Sequence, residues 1–167
     1  MSKFKKMLPY LIIIAVVILL RIFIVTPVRV SGDSMEPTLH NGEIMVLNKI
    51  KSKTTDIKRF DIIVIKYNGE KLIKRVIGLP GDKIEYKDEI LYVNGKAVME
   101  TYLTQPMSDY NITSLGSETV PDDSYFVLGD NRSNSLDSRL IGFIKRKDIE
   151  GITNFVLFPF SEFGSKI

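Results

Sequence analysis

The chain has 167 residues, with 23 Lys+Arg against 20 Asp+Glu, one histidine, no cysteine and no tryptophan, a size that suits one globular domain. Without cysteine there is no disulfide framework, Cys-rich zinc site, iron–sulfur cluster or thiol nucleophile, and the lone His40 rules out a His-rich metal site. The net charge of +3 invites a nucleic-acid partner only until it is located: Lys3, Lys5, Lys6 and Arg21 stand in 1–26 with no acid among them, leaving 19 basic against 20 acidic residues in 27–167, so the body is not basic and no nucleic acid is expected.

In chain order, residues 1–7 read as a short basic tail. Leu8 to Val25 (LPYLIIIAVVILLRIFIV) holds one charge in eighteen residues, and a helix of that length spans roughly 27 Å, close to the bilayer core of about 30 Å. The pattern predicts one transmembrane helix over 8–26. Pro9 falls at its start, where a missing N–H costs little, and Arg21 is near enough to the far end to snorkel. Lys3, Lys5 and Lys6 orient the N-terminus to the cytoplasm by the positive-inside bias. A cleaved secretory signal has the same basic start but a shorter apolar core and a small-x-small site; Ile22 to Arg29 (IFIVTPVR) offers no such site and Pro27 obstructs one. The expectation is therefore a single-pass protein of the cell membrane in contact with lipid, with 27–167 extracytoplasmic. The other apolar stretch, Phe155 to Phe160, contains Pro159 and reads as a buried strand and turn.

After Pro27 the pattern breaks into short alternating runs separated by Gly, Pro, Asn and Asp, which predicts a mainly β, antiparallel fold. Strands are expected at Val28–Ser31, Ile44–Asn48, Ile62–Tyr67, Lys71–Gly78, Lys83–Lys87, Ile90–Val93, Ser124–Leu128 and Gly151–Leu157. Asn94-Gly95 is a type I′ hairpin signal, and Lys87-Asp88-Glu89 a short hairpin loop. Residues 100–123, with Pro106, Gly116 and Pro121 among polar residues, read as an irregular surface excursion or small subdomain. No GxGxxG, Walker loop or HExxH appears, so nucleotide, zinc and other cofactor chemistry has no sequence support.

With these exclusions, nucleophilic chemistry needs Ser or Thr and a base other than imidazole. A lysine qualifies if burial or a neighbouring cation lowers its pKa from about 10.4. In Lys71–Gly78 (KLIKRVIG) strand alternation puts Lys74 between Leu72 and Val76 on one face and Arg75 between Ile73 and Ile77 on the other. Lys74 is then either a desolvated base or a lysine snorkelling from a half-buried strand. Lys49, Lys51, Lys53, Lys58, Lys145 and Lys147 lie in polar runs and read as solvated. Ser34, in the run Ser31-Gly32-Asp33-Ser34-Met35-Glu36-Pro37-Thr38, is either a presented nucleophile or a plain turn serine. His40 reads as a surface turn residue. The run Gly129 to Arg139 (GDNRSNSLDSR) packs two acids, two arginines and three serines into one loop, a density that predicts a hydrogen-bonded loop folded back on the protein.

Taken in order, the anchor with SGDSMEPTL at 31–39, RFDIIVIK at 59–66, IKRVIGLPGD at 73–82 and GDNRSNSLDSR at 129–139 resembles the bacterial type I signal peptidases, membrane-anchored Ser-Lys proteases that remove signal peptides from exported preproteins. The single anchor and short excursion resemble the compact branch typical of Gram-positive bacteria. The resemblance implies a β-rich fold of coiled sheets with a hydrophobic surface near the site, and neither metal nor cofactor. It implies Ser34 as nucleophile, Lys74 as general base, and Ser135 as the serine that hydrogen-bonds the lysine amine. Arg75, Asp130, Asp137 and Arg139 match charged residues that pair and hold the catalytic loop, and Met35 a residue at the substrate- and membrane-facing edge. Some members place a serine hydroxyl of the oxyanion hole where this chain has Gly32, so here the hole rests on the Ser34 backbone N–H and a second donor left unidentified. Two other readings are a non-catalytic membrane-tethered paralogue, expected to lack Ser34 or Lys74, and a self-cleaving Ser-Lys regulator of the SOS-repressor type, which is cytoplasmic and joined to a DNA- or partner-binding segment.

Overall fold

The computed structural model describes residues 2–23, 25–49, 56–103 and 105–166, with side chains from 7 to 17 and from 26 onward within those ranges. Lys51, Lys53 and the side chains of Lys3, Lys5, Lys6 and Arg21 lie outside the described residues. The chain opens with helix α1 (Ser2–Phe23). Among the described residues, no helix is long and apolar enough to cross a membrane.

Thirteen strands are assigned among the described residues, and every recorded pairing is antiparallel. The larger sheet is built from β1 (Val25–Arg29), β2 (Ile44–Asn48), β3 (Ile62–Tyr67), β4 (Glu70–Gly78), β9 (Ser124–Leu128), β10 (Ile144–Lys145), β11 (Ile149–Ile152), β12 (Phe155–Phe158) and β13 (Gly164–Ser165). Its order is β10-β9-β4-β3-β11-β2-β12-β13, with β1 also paired to β2. The smaller sheet has β5 (Ile84–Lys87), β6 (Ile90–Val93), β7 (Lys96–Val98) and β8 (Tyr110–Asn111), in the order β7-β6-β5-β8.

β3 lies inside the larger sheet and is apolar on both faces because each face meets a core. Ile62 and Val64 join Val28, Met35, Leu39 and Met45 on one side; Ile63 and Ile65 join Val76, Val127 and Ile149 on the other. A third core lies where the sheets meet, with Ile77 and Phe126 from the larger and Ile84, Tyr86 and Leu91 from the smaller. At the β6–β7 turn Asn94 and Gly95 have φ of 52° and 77°, and at β5–β6 Asp88 and Glu89 have 49° and 68°, the paired positive values of a type I′ hairpin. Asn68-Gly69 does the same between β3 and β4.

Several expectations need correction. The first strand runs Val25–Arg29 rather than Val28–Ser31, and Gly151–Leu157 is two strands, with β11 ending at Ile152 and Thr153 giving its N–H to the Ile62 carbonyl at 2.8 Å. The stretch 100–123 is not only a surface excursion: Met107, Ile112 and Val120 are buried in the third core. Phe155 to Phe160 is not a buried strand and turn, since only Val156 is enclosed while Phe158 and Phe160 are 50 % and 80 % exposed. β12 lies near the sheet's edge and turns just one of its faces to the core. A short helix, α2 (Ser138–Ile141), follows the Gly129–Asp137 loop, its first turn capped by the Asp137 carboxylate.

Candidate active site

The turn that carries Ser34 is pinned from below. Met35 and Leu39 are buried in the first core, and Glu36 N–H donates to the Asp33 carbonyl at 3.2 Å and Leu39 N–H to the Met35 carbonyl at 2.9 Å. Between these anchors Ser34 is half-buried, with its hydroxyl turned to β4. The following turn braces the segment from the other side: Val30 N–H donates to the Glu43 carbonyl at 2.8 Å, Gly42 N–H to the Val30 carbonyl at 3.0 Å, and Gly32 N–H to Asn41 Oδ1 at 3.3 Å. Met35 is thus a buried anchor that also lines the cleft beside Ser34. His40 is exposed, with Nδ1 3.4 Å from Glu43.

β4 supplies the partner. Lys74 is paired across the sheet with Ile63, on the face that holds Leu72 and Val76, and is 2 % exposed. Its Nζ lies 2.6 Å from Ser34 Oγ. Burial lowers the amine from 10.5 to about 8, assisted by Arg139 and opposed by Asp137 and Asp130. No carboxylate forms an ion pair with it among the described residues, so desolvation wins.

The loop after β9 folds over this pair. Asn131 N–H donates to the Ser34 carbonyl at 3.0 Å and its side-chain amide to the Asp33 carbonyl at 3.2 Å. Arg75, on the opposite face of β4 from Lys74, holds the loop through a two-pronged contact with Asp130 at 2.9 and 2.6 Å. Asp137 accepts from Gly129 N–H at 3.1 Å and from Arg139 Nε and NH2 at 2.8 Å each. Gly129 passes so close to the Ser34 turn that a Cβ there would fall on the Ser34 carbonyl oxygen and on Ser135 Oγ, so no other residue fits. Ser135 differs from its expectation: its buried Oγ has no hydrogen-bond partner, because the amine's contact goes to Ser34 and the hydroxyl packs over Gly129.

A second set joins Arg132 of the Gly129–Arg139 loop to residues that no sequence motif marks. Arg132 donates to Glu100 at 2.7 Å and to Tyr86 Oη at 2.9 Å, and its Nε donates to the Gly129 carbonyl at 3.0 Å. Tyr86 and Tyr102 donate to Glu100 at 3.0 and 2.5 Å. The Tyr102 ring stacks under the Arg75 guanidinium at 3.9 Å. Burial raises both phenols, so they arrive as O–H donors. An acid and a tyrosine in an irregular stretch give no hint that they close on an arginine some thirty residues later; only the fold brings them together.

Ser34 and Lys74 open onto a cleft of about 280 Å³ whose walls are Pro27–Gly32 and Lys71–Lys74. β9 pairs with β4 only from Arg75 onward, and β1 is paired only to β2, so among the described residues both walls have strand edges without a ladder partner. No group of three His, Cys, Asp or Glu able to hold a metal ion occurs among the described residues. A serine hydroxyl beside a desolvated amine, at the head of a slot for an extended chain, is equipped for acyl transfer.

Comparison with known proteins gives the same direction. The family model described as "Signal peptidase, peptidase S26" matches residues 4–158. Signal peptidase I of Bacillus amyloliquefaciens is 46% identical over 160 residues, covering 90% of this chain and 86% of that protein. Signal peptidase I S of Bacillus subtilis (strain 168) is 44% identical, covering 96% and 94%, and signal peptidase IB of Staphylococcus aureus 42%, covering 95% and 93%. The crystal structure of a signal peptidase I from Enterococcus faecalis superposes with a TM-score of 0.56 at 41% identity, covering 59% of this chain and 97% of that one. With the match running through the Ser34 turn, β4 and the loop after β9, the chain belongs to the signal peptidase family, peptidase S26, and is a peptidase.

Proposed function

We propose that the protein is a membrane-bound serine endopeptidase that cleaves signal peptides from exported preproteins, with Ser34 as nucleophile and Lys74 as general base. The observation that carries the chemistry is the 2.6 Å contact between Lys74 Nζ and Ser34 Oγ at a lysine that burial lowers to about 8. An extended substrate segment adds to the open edges of the cleft as a strand, its backbone hydrogen-bonding while small side chains enter shallow pockets. With the amine neutral, the Oγ proton passes to Nζ as Oγ attacks the scissile carbonyl carbon. The ammonium then gives that proton to the departing amine as the C–N bond breaks. Water, losing a proton to the same amine, releases the acyl group and restores the serine. Gly32 offers no hydroxyl and its N–H is engaged by Asn41, which leaves the Ser34 N–H as the named donor to the oxyanion. Asp130, Asp137, Arg75 and Arg139 hold the loop over the pair.

The same reading assigns 1–7 to the cytoplasm, 8–26 to a single membrane span and 27–167 to the outer side. What supports it is a helix whose described side chains, 7–17, are apolar and exposed all round, an arrangement that needs a non-aqueous surrounding. Anchoring holds enzyme and signal-peptide core in one plane, where encounter is favoured by effective concentration. In membranes carrying the full chain, Ser34→Ala and Lys74→Ala should each lower cleavage of a preprotein by roughly 10³-fold or more; cleavage at the wild-type rate would sink the dyad. Protease added outside sealed spheroplasts should reach 27–167 and spare 1–7, and the reverse pattern would sink the orientation.

A further inference from the structure

The cleft beside Ser34 and Lys74 accommodates one side of a polypeptide substrate, but a cut chain has two sides. On the far side of the nucleophile turn lies a second hollow, of about 210 Å³, lined by Glu36, Pro37, His40, Gln105, Asp130 and Asn131. It begins where the first ends: Ser34 and Met35 line the first cleft, Glu36 and Pro37 the second. Asn131, on its wall, also holds the Asp33 and Ser34 carbonyls. The two hollows therefore flank the same turn, the one that presents Ser34 Oγ.

The second hollow differs from the first in chemistry. Every residue on its wall except Pro37 is polar or ionisable. Asp130 is neutralised by Arg75 in the buried pair at 2.6 Å, and His40 faces Glu43. Glu36 is half-buried and makes no ion pair among the described residues. One uncompensated carboxylate is thus left facing the space the departing segment enters. We infer that this hollow is a subsite for the residues just after the scissile bond, and that Glu36 makes it favour a cationic side chain there over an acidic one. The inference rests on the peptidase reading above and adds a specificity to it. A partly exposed ion pair of this kind is worth a few-fold in kcat/KM, and is screened by salt.

The test uses the full-length chain in detergent with three sets of peptides, one set for each of the first three positions after the cut, that share a small-x-small sequence before it and carry Lys, Ser or Asp at the position varied. At one of these positions the Lys peptide should exceed the Asp peptide in kcat/KM by about five- to tenfold at low salt. Glu36→Gln should bring that ratio to near one, and Glu36→Lys should invert it. A Lys:Asp ratio that Glu36→Gln leaves unmoved at all three positions, or a wild-type preference for Asp, overturns the subsite alone. A chain that cuts none of the peptides overturns the peptidase assignment and the subsite with it.

Discussion

Lys74 and Arg75 are neighbours on one strand, each 2 % exposed, and the protein treats their charges in opposite ways. On one face Arg75 is given compensation from every direction: Asp130 in two contacts, the Phe60 carbonyl at 3.0 Å, and the Tyr102 ring beneath it. On the other face Lys74 is given Leu72, Val76 and a serine hydroxyl, and its proton becomes easy to lose. Burial alone decides neither outcome. A buried cation supplied with a carboxylate fork keeps its charge, whereas one denied an ion pair holds its proton weakly.

The contrast is broken most severely by exchanging the cation on the reactive face for a neutral isostere. Lys74→Met should abolish cleavage, by roughly 10³-fold or more, without loosening the fold. The wild-type amine titrates near 8 in the folded chain and near 10.5 unfolded, so the unfolded state binds more protons between these values and wild-type stability rises with pH across that window. Below pH 8 the folded protein bears the full cost of a charged, buried amine, about 3 kcal/mol by that difference. Lys74→Met should therefore be more stable than wild type in urea at pH 7, and the advantage should close by about pH 10.5. A variant less stable at pH 7 would mean that the charge on Lys74 holds the fold together, contrary to the comparison.

On the other face the same kind of change should do the reverse. Arg75→Met leaves Asp130 buried without its partner, which should cost about 3–5 kcal/mol in denaturant midpoint terms, and Asp130→Asn in the same chain should return part of it. The wild-type pH–rate profile tests the reactive face without mutation: kcat/KM should rise about tenfold per pH unit below 8 and level off above it, since only the neutral amine accepts a proton. A profile flat from pH 6 to 9 would separate the rate from Lys74.

How much of this was legible beforehand follows from which contacts are local. Alternation in Lys71–Gly78 placed Lys74 and Arg75 on opposite faces, because the side-chain period of a strand is a property of the backbone. Asn94-Gly95 marked a hairpin because its residues tolerate positive φ. Ser34 stands out as a candidate nucleophile only through resemblance, since a turn serine carries no signature until a partner some forty residues away is brought beside it. Phe155–Phe160 was misread because an apolar run does not say whether both of its faces find a core, and the burial of 100–123 was missed because Met107, Ile112 and Val120 lie among polar residues without a period. Glu100 and Tyr102 were not legible at all, and Arg132 only as part of a loop expected to fold back on the protein, without its partners.

That unforeseen set gives the finest probe of the comparison. Tyr102 touches Arg75 with its ring and Glu100 with its hydroxyl at 2.5 Å, so it separates two ways of supporting the charged face. Tyr102→Phe keeps the ring under the guanidinium and removes one hydrogen bond to Glu100, which retains Arg132 and Tyr86 as donors; the cost should be about 1 kcal/mol, with the pH–rate profile unmoved. Tyr102→Leu removes the ring as well and should cost about 1 kcal/mol more in stability. Because Tyr102 supports Arg75 and not the amine, both variants should keep the apparent pKa near that of the wild type. A shift of that pKa in Tyr102→Leu would show that the two faces of β4 are coupled, and that the strand does not insulate the base from the ion pair behind it.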